Sequence, residues 1–305
     1  MGVGNCVENP LVSIIIITYN SSKYISETLE SVRNQSYKNI ELIISDDCST
    51  DDTVAICAEW LKINGANFAN YKLIEVTKNT GVAPNCNRGV KASKGEWLKL
   101  CAGDDLLLPE CIADNIYFSK INQDINIFIS NMIVFLDDTF PREILEIKRP
   151  SNEHIWNKSV SVAEQYEKNI LEYFGNTPSY FINSKVFDKV KFDENVPFIE
   201  DYSFSLNALK AGFQIVYNDK DTVLYRERKG SISKAKNKEL YNAFYLKIRE
   251  FDIIYRTPFL SHKRKKMEEF EYNRKSYLIK YNLNHNNLLC RLINTITIYI
   301  NPYRY

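Results

Sequence analysis

Four apolar runs separated by helical patterns constrain this chain more than any other feature. Leu11 to Thr18 is a continuous, β-branched run, the pattern of a strand buried on both faces. Ile40 to Ser45, Tyr71 to Thr77 and Glu96 to Cys101 repeat it. Between the runs lie helix signals. Ile25, Leu29 and Val32 share one helical face after a capping Ser21 or Ser22. Thr50 to Ile63 carries an apolar stripe of Val54, Ala55, Ala58 and Leu61, with Asp51 and Asp52 at its positive N-terminus. Pro84 to Ala92 and Pro109 to Lys120 each open with a proline, which suits a first helical turn. Strands alternating with helices of this length predict an α/β fold, a mostly parallel sheet flanked by helices.

The pattern loosens after residue 120. Ile125 to Leu136 is another long apolar run. Pro141 to Asn157 reads as a loop-rich excursion, and Val160 to Phe174 as a helix. A helix follows Glu200-Asp201 and stops at Gly212. Phe213 to Tyr217 and Thr222 to Tyr225 read as two short strands. Beyond them, Asn237 to Tyr255 and Leu260 to Tyr281 read as helices. We therefore expect an α/β domain followed by a C-terminal helical extension.

Length and charge narrow the function classes. A chain of 305 residues makes one large or two modest domains. A net charge of +1 argues against nucleic-acid binding. Seven cysteines without a CxxC pair make neither a disulfide framework nor a zinc site, and a reducing compartment follows. The first ten residues show no secretory leader, and no apolar run is long enough to span a bilayer. The expected location is the cytoplasm.

In parallel α/β sheets, ligands bind beyond the carboxyl ends of the strands. Here each such end carries polar residues: Thr18, Tyr19 and Asn20; Asp46 and Asp47; Asn79; Asp104 and Asp105. Two adjacent carboxylates at a buried strand end are costly unless a cation sits with them. Mg²⁺ or Mn²⁺ prefers oxygen ligands and shares them with substrate phosphates. The alternative for the pair is capping of the helix that starts at Pro109.

The run Val12 to Asn20, the segment Leu29 to Tyr37 and the stretch Ile43 to Asp51 resemble the opening of glycosyltransferase family 2. The resemblance continues through Asn79-Thr80-Gly81, Asn87-Arg88-Gly89, Gly95-Glu96-Trp97, Asp104-Asp105, Glu200-Asp201 and Tyr225 to Ser233. It covers 10–233, which leaves 234–305 as the C-terminal helical extension, and it implies the GT-A (nucleotide-diphospho-sugar transferase) fold, a nucleotide-diphosphate sugar donor and inversion at the anomeric carbon. Carried residue by residue, it makes Thr18 and Tyr19 part of the nucleotide site, with the Tyr19 ring stacking on the base. Asp47 accepts from uracil N3–H, a donor that cytosine lacks, so the expected donor is a UDP-sugar. Asp104 takes the ribose, Asp105 holds Mn²⁺ or Mg²⁺, and Asp201 is the general base. Three departures stand out. Ala102 replaces the earliest carboxylate of the family's Asp-x-Asp-Asp, and Cys86 stands where an arginine often approaches the diphosphate. Arg228 replaces a histidine metal ligand, so cationic help to the diphosphate is expected from 226–229.

These residues imply a hexosyltransferase acting on a saccharide acceptor in bacterial surface polysaccharide (O-antigen type) synthesis. The competing reading is a scaffold or sugar-nucleotide-binding protein that lost activity, suggested by Ala102 and Cys86. A nucleotidyltransferase would need a glycine-rich phosphate loop after the first strand, which Thr18 to Ser22 does not supply. The tail reads two ways. Leu288, Leu289, Leu292, Ile293 and Ile296 form an apolar stripe that either packs on the catalytic domain or rests, with the basic residues around 262–275, on an anionic membrane. The second suits a polyprenyl-diphosphate-linked acceptor.

Overall fold

The computed structural model describes residues 9–137, 142–150, 152–171, 176–196, 199–227, 239–241, 246 and 248–303. The chain divides into two compact units, Met1–Glu227 and Arg228–Tyr305.

The first unit is built on a nine-stranded sheet of order β3-β2-β1-β4-β8-β6-β9-β5, with β7 paired to β6. Its early strands are β1 (Val12–Thr18), β2 (Ile40–Asp46), β3 (Asn70–Ile74) and β4 (Trp97–Ala102). All three pairings among them are parallel. The helices between are α1 (Ile25–Arg33), α2 (Thr53–Asn64) and α3 (Val82–Ala92), with α4 (Cys111–Ile121) after β4. Burial explains the order: Ile14, Ile15 and Ile16 of β1 are all fully buried. Ile14 and Ile16 join the core under α1, α2 and α4, while Ile15 joins the one on the opposite face. Each such side chain stabilises by about 1.5–3 kcal/mol relative to exposure.

The later half is mixed. β5 (Leu106–Leu107), β6 (Ile127–Leu136), β7 (Glu143–Lys148), β8 (Tyr180–Asn183) and β9 (Ile215–Glu227) follow. Of their pairings, β4–β8, β5–β9, β6–β7 and β6–β8 are antiparallel, and β6–β9 is parallel. The helices α5 (Val162–Leu171) and α6 (Glu200–Lys210) complete the unit.

Three local expectations change. The excursion after residue 141 contains β7, which forms a hairpin with β6. The two short strands at 213–225 are one strand, β9. Its polar middle stays in the sheet because Asn131 on β6 donates to the carboxylates of Asp219 and Asp221, at 3.0 Å each, across a bulge. And α1 is capped by neither Ser21 nor Ser22: Tyr24 is the cap residue, and the Ser21 carbonyl accepts the Tyr24 and Ile25 N–H groups.

The second unit contains the helices His262–Lys280 and Leu288–Tyr299. Ser261 and Asn287 cap them through their side chains, as expected of such residues. Among the described residues no helix is long and apolar enough to cross a membrane.

Candidate functional site

The carboxyl ends of β1, β2 and β4 bring three loops to one edge of the sheet. The first two are sewn together. Asn20 N–H donates to Ser49 Oγ (2.8 Å), Ser21 N–H to Thr53 Oγ1 (2.7 Å) and Ser22 N–H to Asp51 (3.1 Å). In return Thr50 N–H donates to Asn20 Oδ1 (2.8 Å). Asn20 and Cys48 both sit at positive φ, 51° and 68°, a left-handed conformation that is strained for cysteine.

Asp46 and Asp47 anchor this assembly. Asp46 accepts from Thr18 Oγ1 (2.7 Å), Ser49 Oγ (2.5 Å) and Ser49 N–H (2.8 Å). It is a loop ligand, and the Thr18 hydroxyl is spent on it. Asp47 is 2% exposed and meets four donors. Its Oδ2 accepts the N–H groups of Thr80 (2.9 Å) and Gly81 (2.7 Å). Its Oδ1 accepts Thr80 Oγ1 (2.6 Å) and Arg88 (2.8 Å). Gly81 can aim its N–H inward because it adopts φ 96°, which glycine reaches without steric cost. Burial pushes the Asp47 carboxyl up, but the Thr80 hydroxyl, Arg88 and the two N–H groups outweigh it and hold the pKa below its ordinary 3.8. Tyr19, next to this cluster in sequence, is 49% exposed and offers a free ring face.

Asp104 and Asp105 follow β4 and are held differently. Gly103 lies so close to β1 that a Cβ there would stand 2.8 Å from Thr18 Cγ2, so only glycine lets the turn lean on the β1 loop. Asp105 is 2% exposed, and its Oδ1 accepts the Arg226 N–H at 2.9 Å. Asp104 is partly buried, and its carbonyl accepts Arg226 Nε at 2.7 Å. Neither carboxylate caps α4, whose cap residue is Glu110 without a side-chain cap. The helix-capping alternative for the pair is thereby removed.

Arg226 was expected to help neutralise a diphosphate. It lies behind the pair instead, with a side chain 1% exposed. Its guanidinium pairs with Glu27 of α1 at 2.5 Å and with Asp137 beyond β6. It is stacked between the Tyr24 and Phe135 rings, 4.7 and 4.8 Å from their centroids. Lys23 and Arg142 close the network on Asp137 and Glu27. Arg228 and Lys229 lie outside the described residues.

Glu200 and Asp201 open α6. The buried Cys86 thiol of α3 is pushed up by burial and then by the carboxylates of Glu200 and Asp201. Cys86 faces the core and is no surface substitute for an arginine. Asn85 next to it donates to the Thr18 carbonyl at 3.3 Å, which ties α3 to the β1 loop. Burial raises the Glu200 carboxyl pKa, against the opposing hydrogen bond of Thr177. The oxygen-only character of Asp104 and Asp105 suits Mg²⁺ or Mn²⁺, which take one or two carboxylates and complete their shell with phosphate and water. Among the described residues no group of three or more His, Cys, Asp or Glu could hold a metal.

Sequence reasoning missed Arg88, Thr80, Glu27 and Asp137 as parts of the site. Arg88 and Thr80 stood inside the Asn87-Arg88-Gly89 and Asn79-Thr80-Gly81 segments, the available signals. The others depend on tertiary placement.

The sequence model described as "Glycosyl transferase family 2" matches residues 13–190. The chain is 31% identical over 232 residues to the Escherichia coli UDP-Glc:alpha-D-GlcNAc-diphosphoundecaprenol beta-1,3-glucosyltransferase WfaP, covering 75% of this chain and 82% of that protein. It is 26% identical over 250 residues to an uncharacterized glycosyltransferase of Methanocaldococcus jannaschii, covering 79% and 80%. Among solved structures it resembles S. aureus TarS 1-349 in complex with UDP-GlcNAc, with a TM-score of 0.59, 22% identity, and coverage of 88% of this chain and 72% of that one. The last likeness shows a shared fold.

Proposed function

Because this chain belongs to glycosyl transferase family 2, we propose that it moves a hexose from a UDP-sugar to a saccharide acceptor with inversion. The acceptor we favour is lipid-linked, on the inner face of the cytoplasmic membrane, in the synthesis of a bacterial surface polysaccharide such as an O-antigen. The observation that carries this reading is the gathering at one sheet edge of an exposed Tyr19 ring, a buried and multiply bonded Asp47, and the Asp104–Asp105 pair. The WfaP likeness supports the donor and the acceptor class. We assign transfer to residues 10–233 and treat 234–305 as a helical extension.

In this mechanism Tyr19 stacks on uracil, which contributes about 1–3 kcal/mol by analogy with base stacking elsewhere. Thr18 and Asp46 fix the loop that carries it. Asp47 organises Thr80-Gly81 and Arg88 at the base edge, and uracil N3–H takes the place of one of these donors on its carboxylate. Asp104 binds the ribose. Asp105 would hold Mn²⁺ or Mg²⁺, which when bound offsets the charge that develops on the departing diphosphate. Arg228 adds a guanidinium for the same oxygens. Asp201 takes the proton from the acceptor hydroxyl as that oxygen attacks from the face opposite the leaving group. One base suffices, since a single displacement needs no covalent intermediate.

The test is Asp201→Asn, assayed with UDP-Glc, UDP-Gal, UDP-GlcNAc and UDP-GalNAc, with and without Mn²⁺. Transfer should fall by about 10²–10⁴-fold, the range for loss of a general base, while UDP affinity holds. A wild-type chain that transfers from none of these donors would favour the inactive scaffold, the reading that Ala102 suggests. A preference for GDP- or dTDP-sugars would overturn the role of Asp47.

A further inference from the structure

The helix Leu288–Tyr299 carries an apolar face on its outside. At 100° per residue, Leu288, Leu289, Leu292, Ile296, Tyr299 and Ile300 fall within an arc of roughly 120°. All six are exposed, from 86% for Leu288 to 51% for Ile296. The inward arc is mixed: Cys290 is buried, Ile293 and Ile298 are partly buried, and two polar residues bond inward beside them. Asn294 accepts Arg274 (2.5 Å) and the Tyr241 hydroxyl (2.6 Å), and Thr297 Oγ1 accepts Arg274 at 3.4 Å. Arg274 itself is 7% exposed and bonded to Glu271 at 2.6 Å. A helix of a soluble domain buries its apolar stripe, and a contiguous apolar face left outside marks an interaction surface.

Charge identifies the occupant. From Tyr272 to Tyr305 the sequence has no acidic residue and five Lys or Arg. On the same helix Arg291 is exposed next to the arc, and Lys280, Tyr277 and Tyr281 at the end of the preceding helix are exposed as well. Aliphatic residues and a tyrosine on one exposed arc, in a segment that carries cations but no acidic residue, are the composition of a helix lying in the headgroup layer. At 12 residues the helix is too short to span. We propose that this face docks peripherally on an anionic phospholipid surface. It deepens the lipid-linked acceptor reading above, but the docking itself does not require it.

The full-length chain should be sedimented with vesicles of phosphatidylglycerol and phosphatidylcholine, and with phosphatidylcholine alone, at low and high salt. Binding is expected to the anionic vesicles, to weaken with salt, and to fall about tenfold or more (1.4 kcal/mol per decade) in L292E/I296E. Both positions are exposed, so circular dichroism should show the fold intact. A variant that unfolds is replaced by L292S/I296S. Equal binding to neutral vesicles, binding undiminished in either variant, or self-association that the variant abolishes without any vesicle binding would each overturn the proposal. Transfer to a water-soluble acceptor, measured in parallel, reports on the glycosyltransferase reading separately.

Discussion

Asp46–Asp47 and Asp104–Asp105 are both pairs of aspartates at the ends of parallel strands, yet their partners come from different parts of the molecule. The first pair is satisfied mostly by hydroxyl and backbone N–H donors from neighbouring loops, with Arg88 as its one cation among the described residues. The second is backed by Arg226 from the far end of β9: its backbone N–H bonds the Asp105 carboxylate, 121 residues away, its guanidinium bonds the Asp104 carbonyl, and the ion network lies behind it. Neutral donors fix a carboxylate in place and leave it charged for directional recognition. The buried guanidinium on the Asp104 carbonyl holds the backbone of that turn. The roles proposed above are a base-reading pair and a cation-holding pair.

The largest expected effect distinguishes those roles directly. Asp105→Asn keeps an acceptor for the Arg226 N–H but removes the charge. Transfer should drop by about 10²–10³-fold, the usual loss when one charge-stabilising group is removed, with half-saturating Mn²⁺ rising and the melting temperature little changed. If Mn²⁺ dependence is unaltered, Asp104 holds the ion. Next comes Arg226→Met. Breaking a buried pair leaves uncompensated charge and costs about 3 kcal/mol, at the low end of the range because Glu27 is 41% exposed. Chemical denaturation should show that loss, with Arg226→Lys recovering part of it. Arg88→Met should cost only about 1 kcal/mol, because Asp47 keeps three other donors. Equal losses for the two arginines would erase the contrast.

This contrast also explains what the sequence could reveal. β1, β2 and β4 were legible because a strand buried on both faces must be a continuous apolar run, and their polar ends followed from the topology of parallel sheets. The first pair's partners lie in loops next to it, so short segments carried most of its chemistry. Arg226 was misplaced because an arginine two residues from Arg228 looks like surface charge until β9 is seen paired along β6, which buries it between Tyr24 and Phe135. β7 was missed because its Ile144, Leu145 and Ile147 are exposed on an outer strand, so no core imposed a pattern. The tail's apolar stripe was visible, but not that Arg274 draws Asn294 inward.

The smallest expected effect is the acid response, and it separates the two regions by salt. Asp137 is raised by burial, but Lys23 and Arg226 more than offset this and hold it below 3.8. Asp47 is also depressed, mainly by hydrogen bonds, and Asp51 is lowered to about 2 by bonds from Thr53 and Ser22 that outweigh its desolvation. A depressed carboxylate contributes stability that is fully present above its unfolded value and is lost as pH falls through its folded value. Denaturation midpoints should therefore hold from neutral pH to just above the ordinary 3.8 of these aspartates and decline below it. Asp137→Asn and Asp47→Asn should each remove part of that decline. Raising salt should shrink the Asp137 share, which rests on charge pairs that include exposed Lys23. It should leave most of the Asp47 share, which rests on buried hydroxyl and N–H donors. A decline equally salt-sensitive in both variants would mean that Arg88, not the Thr80-Gly81 loop, holds Asp47, and the two pairs would then be held alike.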